Sequence, residues 1–234
     1  MKKYIIVFLI PFFLTAADVV SAFNYQGNSE SKIYKIGKFS DIFLDGSFKV
    51  QLIQGSDNYL EVQASDSDAF DYLNIRNEGG TLRINVRRKP FDFSKVTIYI
   101  TFQTLRRLEI EGGIQLETKG YISLDDISMH LKGGGKINFL VKAEDMIIIS
   151  EGGVLFHTEG ICESLDVRMY GAGHIDAGEL SAQNVQFRIE GVGTGFVNAK
   201  QSLNAIIKGA GKIKYRGNPD ITRQIEGLGS VEKE

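Results

Sequence analysis

The chain contains no tryptophan, one cysteine and three prolines among 234 residues, whereas it contains 26 glycines. Few prolines and many glycines favour repeated tight corners over long helices. The single cysteine, Cys162, excludes an internal disulfide. It leaves two alternatives, a buried thiol or an intermolecular link, of which burial is the one we predict.

Charge and hydropathy exclude two further classes of protein. The formal net charge is −2, and without a basic excess we expect no nucleic-acid partner. Beyond the N-terminus no apolar run reaches the length needed to span a bilayer. We therefore expect no stable membrane insertion.

Residues 1–22 have the pattern of a cleavable signal peptide. Lys2 and Lys3 precede an apolar run over 4–14, and small residues stand at 20–22. We predict cleavage after Ala22, with cleavage after Ala17 as the alternative. The mature protein is then exported and is either periplasmic or secreted.

From residue 105 onward one motif recurs seven times. Each copy is an alternating apolar and polar run that ends in an apolar anchor, and the anchors are 18 to 21 residues apart. A period near 20 with strand-type alternation predicts a solenoid of stacked β-coils. The anchors are Ile110, Leu131, Ile149, Met169, Ile189, Ile207 and Ile225.

Glycine dominates two positions of the motif, two and four residues after the anchor. Glycine suits a corner where the backbone needs positive φ, or where a Cβ would collide with the neighbouring coil. A phosphate-binding loop is the alternative, but it requires a following helix and no helical periodicity follows. We predict corner positions at Gly112, Gly133, Gly135, Gly153, Gly171, Gly173, Gly191, Gly193, Gly209, Gly211, Gly227 and Gly229.

Residues 23–104 show strand-like alternation but do not keep the repeat. Turn sequences at 55–58 and 78–80 separate five or six short apolar runs. Only 44–50 echoes the motif, and only weakly. A solenoid needs an atypical unit that protects its first coil from edge pairing. We predict a β-rich N-terminal cap over 23–104, continuous with a solenoid over 105–234.

Several of these features occur together in one known family. They are the N-terminal signal, the segment 39–50, the run Gly79-Gly80-Thr81-Leu82 and the repeated apolar-x-Gly-x-Gly coils. In this combination the chain resembles the head GIN domain family of putative autotransporter adhesins over about residues 36–225. The resemblance implies an exported, all-β protein with a right-handed parallel β-helix of about seven coils, and it brings no catalytic residues.

Stacked columns of side chains argue against an enzyme. Polysaccharide-cleaving β-helices need two converging carboxylates or an acidic calcium site, and the column after the anchors has no acidic pair on adjacent coils. His130, His157 and His174 stand at different offsets of the repeat, so they predict no metal site. We expect no catalytic residues, no metal and no cofactor.

The sequence therefore favours a binding or adhesion module that presents a flat surface to a glycan or a cell-surface protein. Two alternatives stay open. One is a structural protein of the cell envelope that forms homo-oligomers through solenoid faces or edges. The other is a degenerate carbohydrate-active enzyme.

One candidate binding site follows from the repeat register. Arg168 and Arg188 stand one residue before successive anchors and should be stacked neighbours, with Tyr170 on the same face. Like charges at that spacing repel unless an anion lies across them, and the ring adds a platform. The pattern predicts a sulfated or carboxylated glycan here. The alternative is that Asp166 and Glu190 neutralise the arginines locally.

The register also predicts ion pairs along the stack. Glu190, Lys208 and Glu226 stand one residue after successive anchors. Opposite charges in one column should pair laterally across the strand spacing of about 4.8 Å.

Overall fold

The computed structural model describes residues 29–86 and 93–234. The predicted signal peptide over 1–22 lies outside the described residues. Within the described ranges the predicted all-β class is confirmed, with only a short helix α1 (Ala69–Tyr72) and a 3-10 turn (Phe93–Lys95) besides strands. The strands are β1 (Glu30–Tyr34), β2 (Asp41–Gly46), β3 (Lys49–Gln54), β4 (Tyr59–Ala64), β5 (Leu73–Glu78), β6 (Thr81–Val86), β7 (Thr97–Phe102), β8 (Arg107–Gly112), β9 (Gln115–Thr118), β10 (Ile122–Ser123), β11 (Asp126–Arg216) and β12 (Asp220–Lys233).

The longest element, β11, is continuous over 91 residues. At about 3.3 Å per residue a straight strand of that length would extend roughly 300 Å, so β11 must fold back on itself repeatedly. Its glycines show which segments lie side by side. A Cβ on Gly191 would lie 2.3 Å from the carbonyl oxygen of Gly171, and one on Gly209 would lie 2.3 Å from that of Gly191. Segments 20 and 18 residues apart are therefore in lateral contact.

Parallel pairing carries the same register to both ends of β11. Its start pairs with β8, where Leu131 lies opposite Ile110, and its end pairs with β12, where Ile207 lies opposite Ile225. These are the anchor pairs that the repeat predicts. Inside, alternate residues form one apolar core that extends from Phe39 to Val231.

The predicted register of the third repeat is wrong by one residue. The residue in contact with Gly133 is Gly152, whose φ is +135° and whose Cβ would lie 2.3 Å from the Gly133 oxygen. The anchor of this repeat is therefore Ser150, which is fully buried, and not Ile149, which is only partly buried. A serine at an apolar position conceals the true register.

The shift reassigns the residues that follow. Val154 and Phe156 are buried, whereas Leu155, which stands six residues after Ile149, is 56% exposed. Gly153 has no positive φ and nothing within 4 Å of a Cβ, so it is not a corner glycine.

With this correction the first glycine column is unbroken through the repeats. Its members all have positive φ, and from Gly112 onward an added Cβ would approach the backbone of the preceding glycine in the column. The second column has ordinary φ, but an added Cβ would meet a neighbouring carbonyl oxygen at 2.8–3.3 Å. The first column is Gly46, Gly112, Gly133, Gly152, Gly171, Gly191, Gly209 and Gly227, and the second contains Gly135, Gly173, Gly193, Gly211 and Gly229.

The first column begins before the predicted solenoid. Gly46 lies opposite Gly112, and Leu44 lies opposite Ile110, in the parallel pair of β2 and β8. The weak echo of the motif at 44–50 is thus a full member of the same register.

Chain order and spatial order differ in the N-terminal region. β2 lies between β6 and β8, and β3 lies between β7 and β9, all in parallel pairs. In space, β6 and β7 therefore lie on one side of β2 and β3, and β8 and β9 lie on the other side, although all four of these strands come later in the sequence. Beyond it the pairing becomes antiparallel, with β5 on β6, β4 on β7 and β1 on β4.

Cys162 is a free thiol that is 5% exposed, which confirms the predicted burial. Burial, followed by the nearby carboxylates of Asp145 and Glu163, raises the pKa of the thiol to about 12. At neutral pH it therefore stays protonated, and it packs as a small apolar side chain.

In residues 29–86 and 93–234 no helix combines the length and apolar character that crossing a bilayer requires.

Candidate binding face

One outward face is built by strands that are distant in sequence. β4, β7, β3, β9 and the part of β11 around 136–138 lie side by side. Side chains alternate between core and solvent along each strand, so every second residue points outward. One row of outward residues crosses the strands in the order Glu61, Tyr99, Gln51, Glu117 and Asn138, which we call the central row.

A groove of about 720 Å³ lies over this face, which we call the tyrosine groove. A second depression of about 400 Å³ shares Gln51, Thr97 and Tyr99 with it and extends toward β11. The two form one continuous surface. The side chains along the tyrosine groove include Gln51, Ile53, Tyr59, Glu61, Gln63, Lys95, Thr97, Tyr99, Thr101 and Lys119.

Hydrogen bonds hold the polar side chains of the groove in place. Gln51 Nε2 donates to Glu117 Oε1 at 2.8 Å, across the strands of the central row. At the other end Glu61 Oε1 accepts from Ser31 Oγ at 2.6 Å and from Gln63 Nε2 at 2.9 Å. Positioned amides and carboxylates can bond to a hydroxyl-rich ligand without losing much side-chain entropy on binding.

The two tyrosines supply ring surface beside these groups. Tyr59 is 37% exposed and Tyr99 is half-buried. Burial, together with the charge of Glu61, raises the pKa of both phenols. Both hydroxyls therefore stay protonated at neutral pH, and that of Tyr59 forms a hydrogen bond with Glu61.

A smaller groove of about 300 Å³ lies farther along β11, around Phe196, and we call it the Phe196 groove. The ring lies over buried Gly178, where a Cβ would come within 2.5 Å of it, and the Arg216 guanidinium is 4.8 Å from the ring centroid. Gly195 beside it is buried because the Phe187 ring fills the space that an inward side chain would need. His174, Asp176 and Thr194 complete one wall.

The predicted arginine site lies elsewhere, on strand segments that continue the β8 side. Arg168 and Arg188 precede the contacting Gly171 and Gly191 by three residues each, so they are lateral neighbours. Tyr170 is 36% exposed. The structure thus brings the predicted residues together.

Each arginine has a carboxylate of its own. Arg168 binds Asp166 through two hydrogen bonds, Nη2 to Oδ2 at 2.6 Å and Nε to Oδ1 at 3.3 Å. Arg188 pairs with Glu190 through Nε and Nη2. This geometry matches local neutralisation, and a glycan site at the arginines stays a prediction.

The predicted ion-pair column is present in part. Lys208 lies opposite Glu226, with Nζ 3.5 Å from Oε2. Glu190, the third predicted member, is engaged by Arg188 instead. The register is confirmed for Lys208 and Glu226.

The three histidines lie apart, each with its own partner. His130 Nε2 is 3.0 Å from Glu151, and His174 Nδ1 is 2.6 Å from the Thr194 hydroxyl. His157 contacts Glu159 at 3.0 Å and Asp176 at 3.4 Å. Within the described ranges no three potential ligands are grouped as a metal site.

Sequence reasoning missed the tyrosine groove because its residues come from strands at 49–54, 59–64 and 97–102 that do not keep the repeat. The available signal is the presence of Tyr59 and Tyr99 at polar positions of alternating runs. Nothing local to those runs shows that they share a face.

The described face combines two tyrosine rings with amide, carboxylate and hydroxyl groups on an all-β scaffold, a combination typical of ligand-binding surfaces. Residues 38–219 match the family described as putative auto-transporter adhesin, head GIN domain. The match covers well over half of the chain, and the chain belongs to this family. Membership implies an exported or cell-surface protein.

Solved structures share the fold. A putative adhesin from Bacteroides fragilis superposes with a TM-score of 0.82 at 24% identity, covering 88% of this chain and 97% of that one. A putative adhesin from Parabacteroides distasonis gives 0.67 at 20% identity, covering 89% and 98%. A putative lipid binding protein from the same organism gives 0.63 at 24% identity, covering 89% and 98%. No curated protein matches the chain.

Proposed function

We propose that the protein is an exported, non-catalytic adhesion module that binds glycan on the face around the tyrosine groove. Its repeats wind as a right-handed parallel β-helix of about seven coils, with the antiparallel strands β1, β4 and β5 as part of the cap. The parallel pairs at both ends of β11 and the glycine contacts between them support this winding.

One feature of the tyrosine groove supports glycan as the ligand. Tyr59 and Tyr99 offer ring surface within a groove whose remaining side chains are mostly amides, carboxylates and hydroxyls. Sugar rings have apolar C–H faces that stack on aromatic rings, and their hydroxyls bond to amides and carboxylates. A lipid tail, suggested by the description of one structural neighbour, would leave these polar groups without partners.

The same groove does not favour catalysis. The two carboxylates of the central row, Glu61 in the groove and Glu117 in the adjoining depression, are three strand positions apart, which is about 14 Å in the backbone. Glycoside hydrolysis uses carboxyl groups about 5 to 10 Å apart.

The test is binding of the chain from residue 23 to an array of neutral and acidic glycans. We expect neutral glycans to bind and the double substitution Tyr99→Ala/Gln51→Ala to reduce that binding at least tenfold. Tyr121→Ala, an exposed tyrosine outside the groove, is the matched control and should bind normally.

Arg168→Ala/Arg188→Ala belongs in the same assay. Selective loss of acidic-glycan binding in this variant, with the groove variant unaffected, would move the site to the arginines. If no glycan binds and the wild type sediments as an oligomer, the self-associating structural protein becomes the better account.

A further inference from the structure

We propose, resting on the proposed function, that the ligand is a linear, uncharged polysaccharide that runs along the stacking direction from the tyrosine groove to the Phe196 groove. The partner is thus an extended polymer and not a terminal sugar. Neither the family nor its structural neighbours specify such a ligand.

The central row continues past Asn138 to the Phe196 groove. Thr158 Oγ1 donates to the Phe139 oxygen at 2.7 Å, which places His157 beside Asn138. His157 Nδ1 lies 3.4 Å from Asp176 Oδ2, so Asp176 is next in the row.

One more contact completes the row. The hydrogen bond between His174 and Thr194 sets 174 opposite 194, and two residues farther Asp176 lies opposite Phe196. The continuous row is therefore Tyr99, Gln51, Glu117, Asn138, His157, Asp176 and Phe196.

The length of this row suits a polymer. Six steps of about 4.8 Å separate Tyr99 from Phe196, or roughly 29 Å. A sugar residue in an extended polysaccharide advances by a distance close to one strand spacing, so successive residues meet successive strands. A chain of six or seven residues is needed to reach both aromatic rings.

The chemistry along the row is repeated at its two ends. Each groove has an aromatic ring beside hydroxyl and carboxylate groups. At one end Tyr99 lies with Thr97 and Glu61, and at the other Phe196, whose ring also contacts the Arg216 guanidinium, lies with Thr194 and Asp176. Between the rings stand Gln51, Glu117, Asn138, His157 and Asp176, which can donate or accept hydrogen bonds.

Charge on the face favours a neutral chain over a sulfated one. His157 is held between Glu159 and Asp176. Lys212 Nζ is 2.6 Å from Glu232, and Arg216 pairs with Glu179 and Glu234. These cations have anionic partners. Lys49, Lys95, Lys136 and Lys214 also line the depressions, but the row itself carries the carboxylates of Glu117 and Asp176, which a polyanion lying along it would meet.

The experiment measures affinity against chain length by calorimetry. The probes are β-1,4-glucan, β-1,3-glucan, β-1,4-xylan and α-1,6-mannan, each as fragments of two to eight residues and as polymer. A ligand that engages two linked contacts gains affinity because the second contact is intramolecular. We expect a second rise of at least tenfold at six to seven residues.

Variants assign the two contacts. Phe196→Ala should abolish the second rise and leave fragments of two to four residues unchanged, whereas Tyr99→Ala should weaken every length. Phe196→Tyr should keep the rise, and Tyr121→Ala, an exposed ring outside both grooves, is the control. A thermal midpoint within error of wild type for Phe196→Ala establishes that the groove, not the fold, is lost.

The outcomes separate the two proposals. A plateau below five residues, or polymer binding unaffected by Phe196→Ala, overturns the polymer proposal while Tyr99-dependent binding of short fragments upholds the proposed function. Absence of binding to every neutral probe overturns both.

Discussion

The stretch 126–216 and the region 29–104 use the same inward alternation but differ in regularity. In the first, glycine columns recur every 18–20 residues and fix one register. In the second, parallel and antiparallel pairs join strands out of chain order, and this region supplies Tyr59, Tyr99 and Gln51. The other ring of the row, the partly buried Phe196, follows Gly195, which stands six residues after the anchor Ile189, where the other repeats have an apolar side chain. The aromatic rings of the candidate face therefore lie where the repeat is absent or interrupted, whereas several of its polar side chains come from the regular repeats.

The largest effect is expected within the regular stretch 126–216, where Gly152→Ala is compared with Gly153→Ala. At Gly152 the methyl group would lie 2.3 Å from a backbone oxygen at φ +135°, whereas at Gly153 there is open space and ordinary φ. We expect Gly152→Ala to lower the free energy of unfolding by about 3 kcal/mol, combining backbone strain and overpacking. Gly153→Ala should change it by less than about 0.5 kcal/mol.

Chemical denaturation of both variants measures the difference. Equal losses at the two positions would show that the third repeat does not have the shifted register, and a larger loss at Gly153 would restore the register predicted from sequence.

Substitutions at Gly195 and Phe187 test whether side chains at these two positions compete for the same space. The Phe187 ring occupies the volume of the missing side chain, with Cζ 2.4 Å from the position of a Cβ. Gly195→Ala should cost about 1–3 kcal/mol through overpacking. In combination with Phe187→Leu the cost should shrink, giving a coupling energy of about 1 kcal/mol or more in a double-mutant cycle. Strict additivity would mean that the two side chains do not compete for space.

Replacing Ser150, the polar anchor of the third repeat, is expected to stabilise the fold. Ser150 is fully buried and its hydroxyl has no hydrogen-bond partner in the described structure. Removing an unsatisfied buried hydroxyl relieves its desolvation penalty, so Ser150→Ala should stabilise the fold by about 1 kcal/mol. Thr158→Val is the control, because the Thr158 hydroxyl donates to the Phe139 oxygen, and it should destabilise. Thermal melting of the two variants in opposite directions is the expected result.

The smallest effect concerns His157 on the candidate face. The hydrogen bond to Glu159, supported by Asp176, raises the pKa of His157 above its usual value of about 6.5 despite partial burial. Since the folded state holds the proton more tightly, this contribution is complete below about pH 6.5 and is lost as pH rises through the raised pKa. The side chain is 37% exposed, so solvent screening should keep the effect below about 1 kcal/mol.

Unfolding at pH 6 and pH 8 measures this contribution. Wild type should lose slightly more stability across that interval than His157→Gln, with His174→Gln as the control because its ring meets a hydroxyl. Identical pH dependence of wild type and His157→Gln would contradict the assignment.

The strand pairing of the repeats from residue 105 onward can be predicted well from the sequence because its signals are local and periodic. Anchor spacing and glycine position suffice to pair 110 with 131 and 207 with 225. The third repeat fails because Ser150 does not look like an anchor and two adjacent glycines, 152 and 153, fit the pattern about equally.

The candidate face could not be predicted for a different reason. It depends on pairs such as Gln51 with Tyr99 and Glu117, which are separated by 48 and 66 residues in the chain. No period connects those positions. Only lateral register, which is a tertiary property, brings them into one row.

The strands that pair with β2 and β3 all come later in the chain, and this order affects the folding kinetics. These two strands receive their partners on one side from residues 81–102 and on the other from 107–118. During synthesis or export from the N-terminus their edges therefore stay unpaired until about half of the chain has emerged. Such long-range closure slows folding and leaves strand edges open to wrong pairing meanwhile. We expect the N-terminal half to set the refolding rate, although the repeats are the longer part of the chain.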